Sequence, residues 1–159
     1  MAVMVARGDV RLEAAIESDT APVHELTATL VELGDALRFV RDPTRGGLAT
    51  ALNEAAEAAG LAIVLDESAI PVSPPVAAAC EILGIDPLYV ANEGKLVAVV
   101  APDAADDALG RLRAHPLATK ATTIGHVREE PEGLVVMETT LGGARIVDML
   151  VGDPLPRIC

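Results

Sequence analysis

Apolar positions along the chain repeat with two different periods, and the changes of period mark its elements. Val23, Leu26, Leu30 and Leu33 recur at helical spacing ahead of Gly34 and predict a helix over 22–33, opened by Pro22 and capped by side chains of the run Glu17-Ser18-Asp19-Thr20. A second helix carries Leu48, Ala51, Leu52, Ala55 and Ala59 on one side, Asn53, Glu54 and Glu57 on the other, and Gly60 as its stop. A third starts at Ser73-Pro74, has the stripe Val76, Ala79, Cys80 and Leu83, and ends at Gly84, which makes Cys80 a core residue. A fourth opens at Pro102, with Asp103, Asp106 and Asp107 early and Arg111 and Arg113 late, the order of charge that a helix dipole favours. Residues 1–8 begin on an apolar run with no capping residue ahead of it and read as the end of a helix whose beginning lies outside the sequence.

Between these helices lie shorter runs of strand length. Residues 37–41 form a β-prone run, and 61–65 form an unbroken aliphatic one that suits a buried strand ended by Asp66. The runs 88–91 and 96–101, separated by Asn92-Glu93-Gly94-Lys95, predict one antiparallel hairpin; 121–127 and 134–139, separated by Glu129-Glu130-Pro131-Glu132-Gly133, predict another. Gly142-Gly143 breaks the last run before a short helical turn over 146–150. Helices interleaved with two hairpins point to an α+β fold rather than a doubly wound sheet. Residues 1–153 are expected to form one domain and 154–159 a tail.

Composition narrows what such a domain can do. With 51% hydrophobic residues in 159, one sizeable core is affordable, yet one Phe, one Tyr and no Trp leave it to Ala, Val, Leu and Ile and remove any platform for stacking bases. Lys and Arg number 12 against 24 Asp and Glu, and the net charge of -12 repels nucleic-acid phosphates and anionic lipid. The first residues are too short for a signal sequence and no apolar run reaches membrane-spanning length, so a cytoplasmic location is the default expectation. Two cysteines are compatible with a reducing compartment.

Three places carry candidate chemistry. In Arg41-Asp42-Pro43-Thr44-Arg45-Gly46-Gly47 a strand gives way to a helix start, where unpaired amides favour an anion; Arg45 adds a charged fork, Thr44 a hydroxyl and Asp42 a metal or ribose partner. No Gly-Lys-Ser/Thr follows, so this is not a Walker loop, and an ordinary strand-to-helix turn has the same composition. Glu93 stands in a short loop that can present a carboxylate as general base or leave it in solvent beside Lys95. The ending Pro154-Leu155-Pro156-Arg157-Ile158-Cys159 places a thiol on a semi-stiff, extended arm, or is a plain terminus that happens to end in cysteine. His24, His115 and His126 are scattered without metal-ligand spacing, His24 and His115 being expected at the surface, so no metal site is assigned.

The 41–48 motif, the Ala91-Asn92-Glu93-Gly94-Lys95 loop and the Pro156-Arg157-Ile158-Cys159 ending, with Glu17-Ser18-Asp19 and Ala21-Pro22 ahead of them, together resemble the C-terminal half of the HypE family. These are the carbamoyl dehydratases of nickel-iron hydrogenase maturation, within the AIR synthase (PurM-like) superfamily. The terminal cysteine is the most specific part, since other PurM-like enzymes do not end this way. The resemblance implies a PurM C-terminal-domain-like fold, a mixed sheet with antiparallel hairpins covered by helices. It also implies that a carbamoyltransferase, HypF, loads Cys159, that ATP activates the carbamoyl oxygen, and that the resulting thiocyanate delivers cyanide to iron on a HypC–HypD scaffold. By the same resemblance Glu93 is the base, positioned by Asn92, while Asp42, Thr44, Arg45, Gly46 and Gly47 contact nucleotide phosphates. ATP and magnesium are then cofactors of a full-length homodimer whose N-terminal domain supplies most of their pocket, and this chain alone is expected not to turn over. The alternatives are a domain of another PurM-like ATP-dependent enzyme, against which the terminal cysteine argues, and a non-catalytic docking module with an acidic surface.

Overall fold

The computed structural model describes residues 2–8 and 16–150. The elements are α1 (Ala2–Arg7), α2 (His24–Val31), β1 (Leu37–Arg41), α3 (Gly47–Ala59), β2 (Ala62–Asp66), α4 (Pro74–Leu83), β3 (Val97–Val100), α5 (Ala105–Arg113), β4 (Gly125–Arg128), β5 (Val135–Glu138) and β6 (Ala144–Ile146). α3 and α4 stop where expected, with Gly60 and Gly84 as their C-caps, whereas α2 is shorter than the expected 22–33 and Pro102 opens a 3-10 turn, Pro102–Ala104, that leads into α5. One cap differs from expectation. The N-cap of α2 is Val23, which has no capping side chain; the helix starts at His24, past the reach of the 17–20 run, in which the Ser18 and Thr20 hydroxyls bond each other.

The α+β class holds, and the described strands form two sheets rather than one: an antiparallel pair β1-β3 and a four-stranded sheet in the order β4-β2-β5-β6. Neither expected hairpin forms. In the 88–91 run, Pro87 and the Asp86 side chain, which accepts from the Leu88 amide at 2.9 Å, wind Pro87–Tyr89 into a 3-10 turn, and β3 pairs with β1 instead. The run is apolar because it is a seam: Leu88 enters one core cluster and Val90 another.

The second correction has a similar cause. β4 and β5 are consecutive but do not pair; β2 lies between them, antiparallel to β4 (Ala62 opposite Arg128) and parallel to β5 (Ile63 opposite Val135). Four of the five β2 residues are buried while three of the four in β4 are exposed, so the most apolar strand takes the centre and the polar one the edge. The 129–134 link has only to cross two strand spacings, about 10 Å. The helical turn expected over 146–150 is absent: β6 folds back on β5 with Val136 opposite Ile146, closed by Thr139 N–H donating to the Gly143 carbonyl at 2.8 Å.

The main core joins α3 to the larger sheet through Ala49, Leu52, Ala56, Ile63, Leu65, Val135, Met137 and Val147. A smaller cluster gathers Ala79, Cys80 and Val90, so Cys80 is core as expected, and burial pushes its thiol pKa up. Asn53, expected on the polar side of α3, is instead buried at 9% exposure, its amide donating to the carbonyls of Ala49 at 2.9 Å and Val147 at 2.8 Å. His115 is half-buried rather than at the surface. Its Nδ1 accepts from the Leu117 amide, so in the neutral ring Nε2 is the donor to Glu25 at 2.9 Å. That bond holds the Glu25 carboxyl below its ordinary pKa.

Candidate active site

The loop that leads into α3 and the 91–95 loop are distant in sequence and adjacent in space. The Asn92 amide donates to the Pro43 carbonyl at 3.0 Å, and the Asn92 side chain donates to the Val90 carbonyl at 2.9 Å, so both loops are held by backbone. On its far side the 91–95 loop is clamped by the 19–21 segment. Lys95 Nζ reaches Asp19 Oδ2 at 2.6 Å, and a Cβ on Gly94 would run into the Asp19 carbonyl. Lys95 is thereby committed to Asp19. Glu93 is exposed and makes neither a hydrogen bond nor an ion pair among the described residues.

The start of α3 is shaped by close packing. Gly47 has φ +61°, and a Cβ there would strike the backbone of the Leu88–Val90 stretch; only glycine meets both conditions without strain. Its amide donates to Thr44 O at 3.0 Å, which closes the turn. Gly46 is the N-cap, and no side chain caps the first helical turn. Beneath Gly46 the Thr50 hydroxyl is buried without a partner among the described residues. Asp42 and Arg45 are exposed and Thr44 half-buried, while Arg41 is drawn aside into an ion pair with Glu54. Of the expected site residues, the structure therefore brings Asn92, Glu93, Asp42, Thr44, Arg45, Gly46 and Gly47 to one pair of joined loops. Cys159 and the whole 154–159 tail lie outside the described residues.

No three His, Cys, Asp or Glu side chains converge as a metal site among the described residues, so these residues build no all-protein metal cage. Asp42 remains a single carboxylate at the loop. The residues that sequence reading passed over are Asn53, Asp86 and Tyr89, which hold the 144–148 segment: Arg145 pairs with Asp86, and the Tyr89 hydroxyl donates to the Asp148 carbonyl at 2.9 Å. Tyr89 was visible only as the chain's single tyrosine. Burial, and then the nearby Asp86 charge, push its phenol pKa up, so it stays a donor at neutral pH.

Residues 5–138 match the family model described as AIR synthase related protein, C-terminal domain. The chain belongs to that family. It is 53% identical over 160 residues to carbamoyl dehydratase HypE of Bradyrhizobium diazoefficiens, an alignment covering 100% of this chain and 46% of that protein. Among solved structures it is similar to HypE in complex with ATP, with a TM-score of 0.87 at 39% identity over 96% of this chain and 47% of that one. It is equally similar to the HypE–HypF complex, with a TM-score of 0.87 at 42% identity over 93% of this chain and 48% of that one. The chain thus spans about half the length of the relatives it matches. Among the described residues no helix is long and apolar enough to cross a membrane.

Proposed function

We propose that this chain is the C-terminal half of an ATP-dependent carbamoyl dehydratase of hydrogenase maturation that acts on its own C-terminal Cys159. A carbamoyl group on the sulfur, S–C(=O)–NH2, receives the γ-phosphoryl of ATP on its oxygen, releasing ADP. The oxygen then leaves with phosphate as the nitrogen gives up its protons, and S–C≡N remains. Phosphorylation turns a poor leaving oxygen into a good one, while a base must take the nitrogen protons. Glu93 is that base, Asn92 fixes its loop, and Asp42, Thr44, Arg45, Gly46 and Gly47 line the phosphate side. HypF supplies the carbamoyl group, the HypC–HypD scaffold takes the cyanide, and magnesium accompanies ATP in a pocket that the other half of the full-length protein largely provides.

The observation that carries this reading is the Asn92-to-Pro43 bond, which joins the loop that carries Glu93 to the uncapped start of α3. The test is intact-mass analysis of the full-length protein incubated with the carbamoyl donor system and ATP. A gain of one carbamoyl group at Cys159 followed by loss of water is expected, and Cys159→Ala abolishes both. A docking module would keep partner binding and show no adduct.

A further inference from the structure

The segment that leads to the tail is fastened at its root from three directions. Val147 is fully buried at 0% exposure, its amide donating to the Val135 carbonyl at 2.8 Å and its carbonyl accepting from Asn53 at 2.8 Å. Arg145 is paired with Asp86. The Asp148 carbonyl accepts from the Tyr89 hydroxyl at 2.9 Å.

Tyr89 does more than hold the chain down. It belongs to the stretch whose backbone packs on Gly47, the first residue of α3, and that stretch continues through Val90, to which the Asn92 side chain donates. One short bracket therefore touches the root of the tail at Asp148, the start of α3 at Gly47, and the loop that carries Glu93. The effective concentration of a tethered group at a pocket depends on where the tether is rooted and how long it is. Cys159 follows Leu150 by nine residues, which span at most about 30 Å, so the position of the 144–148 segment bounds the distance from it to the thiol.

We propose that Tyr89 is a positioning residue for the reaction at Cys159: its hydroxyl, acting through the Asp148 backbone, sets the origin of the tail in a fixed relation to the Glu93 loop and the start of α3. This rests on the dehydratase reading above. The ring of Tyr89 already packs against the main core, so its burial does not need the hydroxyl. The hydroxyl's bond lies at the exposed edge, where its loss is a local event.

The test uses the full-length protein with its carbamoyl donor system and ATP, following both steps at Cys159 by mass spectrometry in single turnover. Tyr89→Phe is expected to load carbamoyl to the wild-type extent, to lose water about tenfold more slowly, and to keep the wild-type KM for ATP and the wild-type Tm. Arg145→Gln, which frees the same segment from Asp86 without touching the hydroxyl or either loop, is expected to slow the same step. Water loss at the wild-type rate in Tyr89→Phe overturns the proposal, whatever the rate in Arg145→Gln. So does an equal fall in loading and water loss that tracks a fall in Tm. A wild-type protein that gains no adduct, or never loses water, sinks the dehydratase reading itself and this inference with it.

Discussion

The backbone amide of Asn92 donates to the carbonyl of Pro43 over 3.0 Å, and that single bond ties a loop between β3 and the 3-10 turn before it to the loop that opens α3. Backbone anchorage on one side, and the Lys95–Asp19 ion pair at 2.6 Å on the other, hold the intervening residues while leaving Glu93 without a partner among the described residues. A carboxylate on a fixed loop, uncommitted to any neighbour, is suited to a proton that arrives with a substrate.

Glu93→Gln should therefore separate stability from chemistry. Because Glu93 is exposed and bonds nothing among the described residues, unfolding free energy in denaturant should stay within about 0.5 kcal/mol of wild type. In the full-length protein the rate of water loss from a carbamoylated Cys159 should fall about a hundredfold or more. Dehydration at the wild-type rate would remove Glu93 from the mechanism.

Gly47→Ala should cost at least about 2 kcal/mol, since the new methyl meets both a left-handed φ of +61° and the Leu88–Val90 backbone. Gly60→Ala, at φ +64° with open space around it, should cost about 1 kcal/mol from the backbone conformation alone. Equal losses in urea unfolding would show that the close approach at Gly47 carries no energy.

Asp66 gives a pH-dependent test. Its carboxylate accepts from the Ser68 hydroxyl at 2.6 Å and from the Ser68 amide at 2.9 Å, and these bonds, the hydroxyl first, hold its pKa below the ordinary 3.8. A folded value below the unfolded one contributes stability that is full above 3.8 and is lost as pH falls through the lower folded value. Ser68→Ala should raise the Asp66 titration toward 3.8, read by carboxyl NMR, and move the acid-unfolding midpoint to higher pH. An unmoved titration would mean the hydroxyl bond does not form.

The 159-residue chain on its own should hydrolyse ATP negligibly, because it spans about half the length of its relatives, HypE in complex with ATP included. A coupled phosphate-release assay with magnesium and ATP decides the matter. Robust turnover would place the whole nucleotide site within this half.

Much of the local structure was legible because its causes are local. The stripe Leu48, Leu52 and Ala55 with Gly60 behind it needs no distant partner to be a helix, and α3 forms where the period says. The motif residues Asp42 to Gly47 and Asn92-Glu93 could also be singled out one at a time, but nothing in their separate neighbourhoods says that Asn92 meets Pro43. Asn53 misled for the same reason: its polarity matched the outer face of α3, whereas its partner, the Val147 carbonyl, lies 94 positions away.

By itself, then, the order of residues determined the helices, the strand-forming runs, the α+β class and the residues worth suspecting, since periodicity, prolines and glycines act over a few positions. Tertiary structure alone decided which strands pair and which loops meet. β2 entered between β4 and β5 because a strand buried along four of its five residues must take the centre of a sheet, and the 88–91 run became a seam because two cores each claimed one of its side chains. Those outcomes depend on how the whole apolar surface is removed from water, a property no short window of sequence contains.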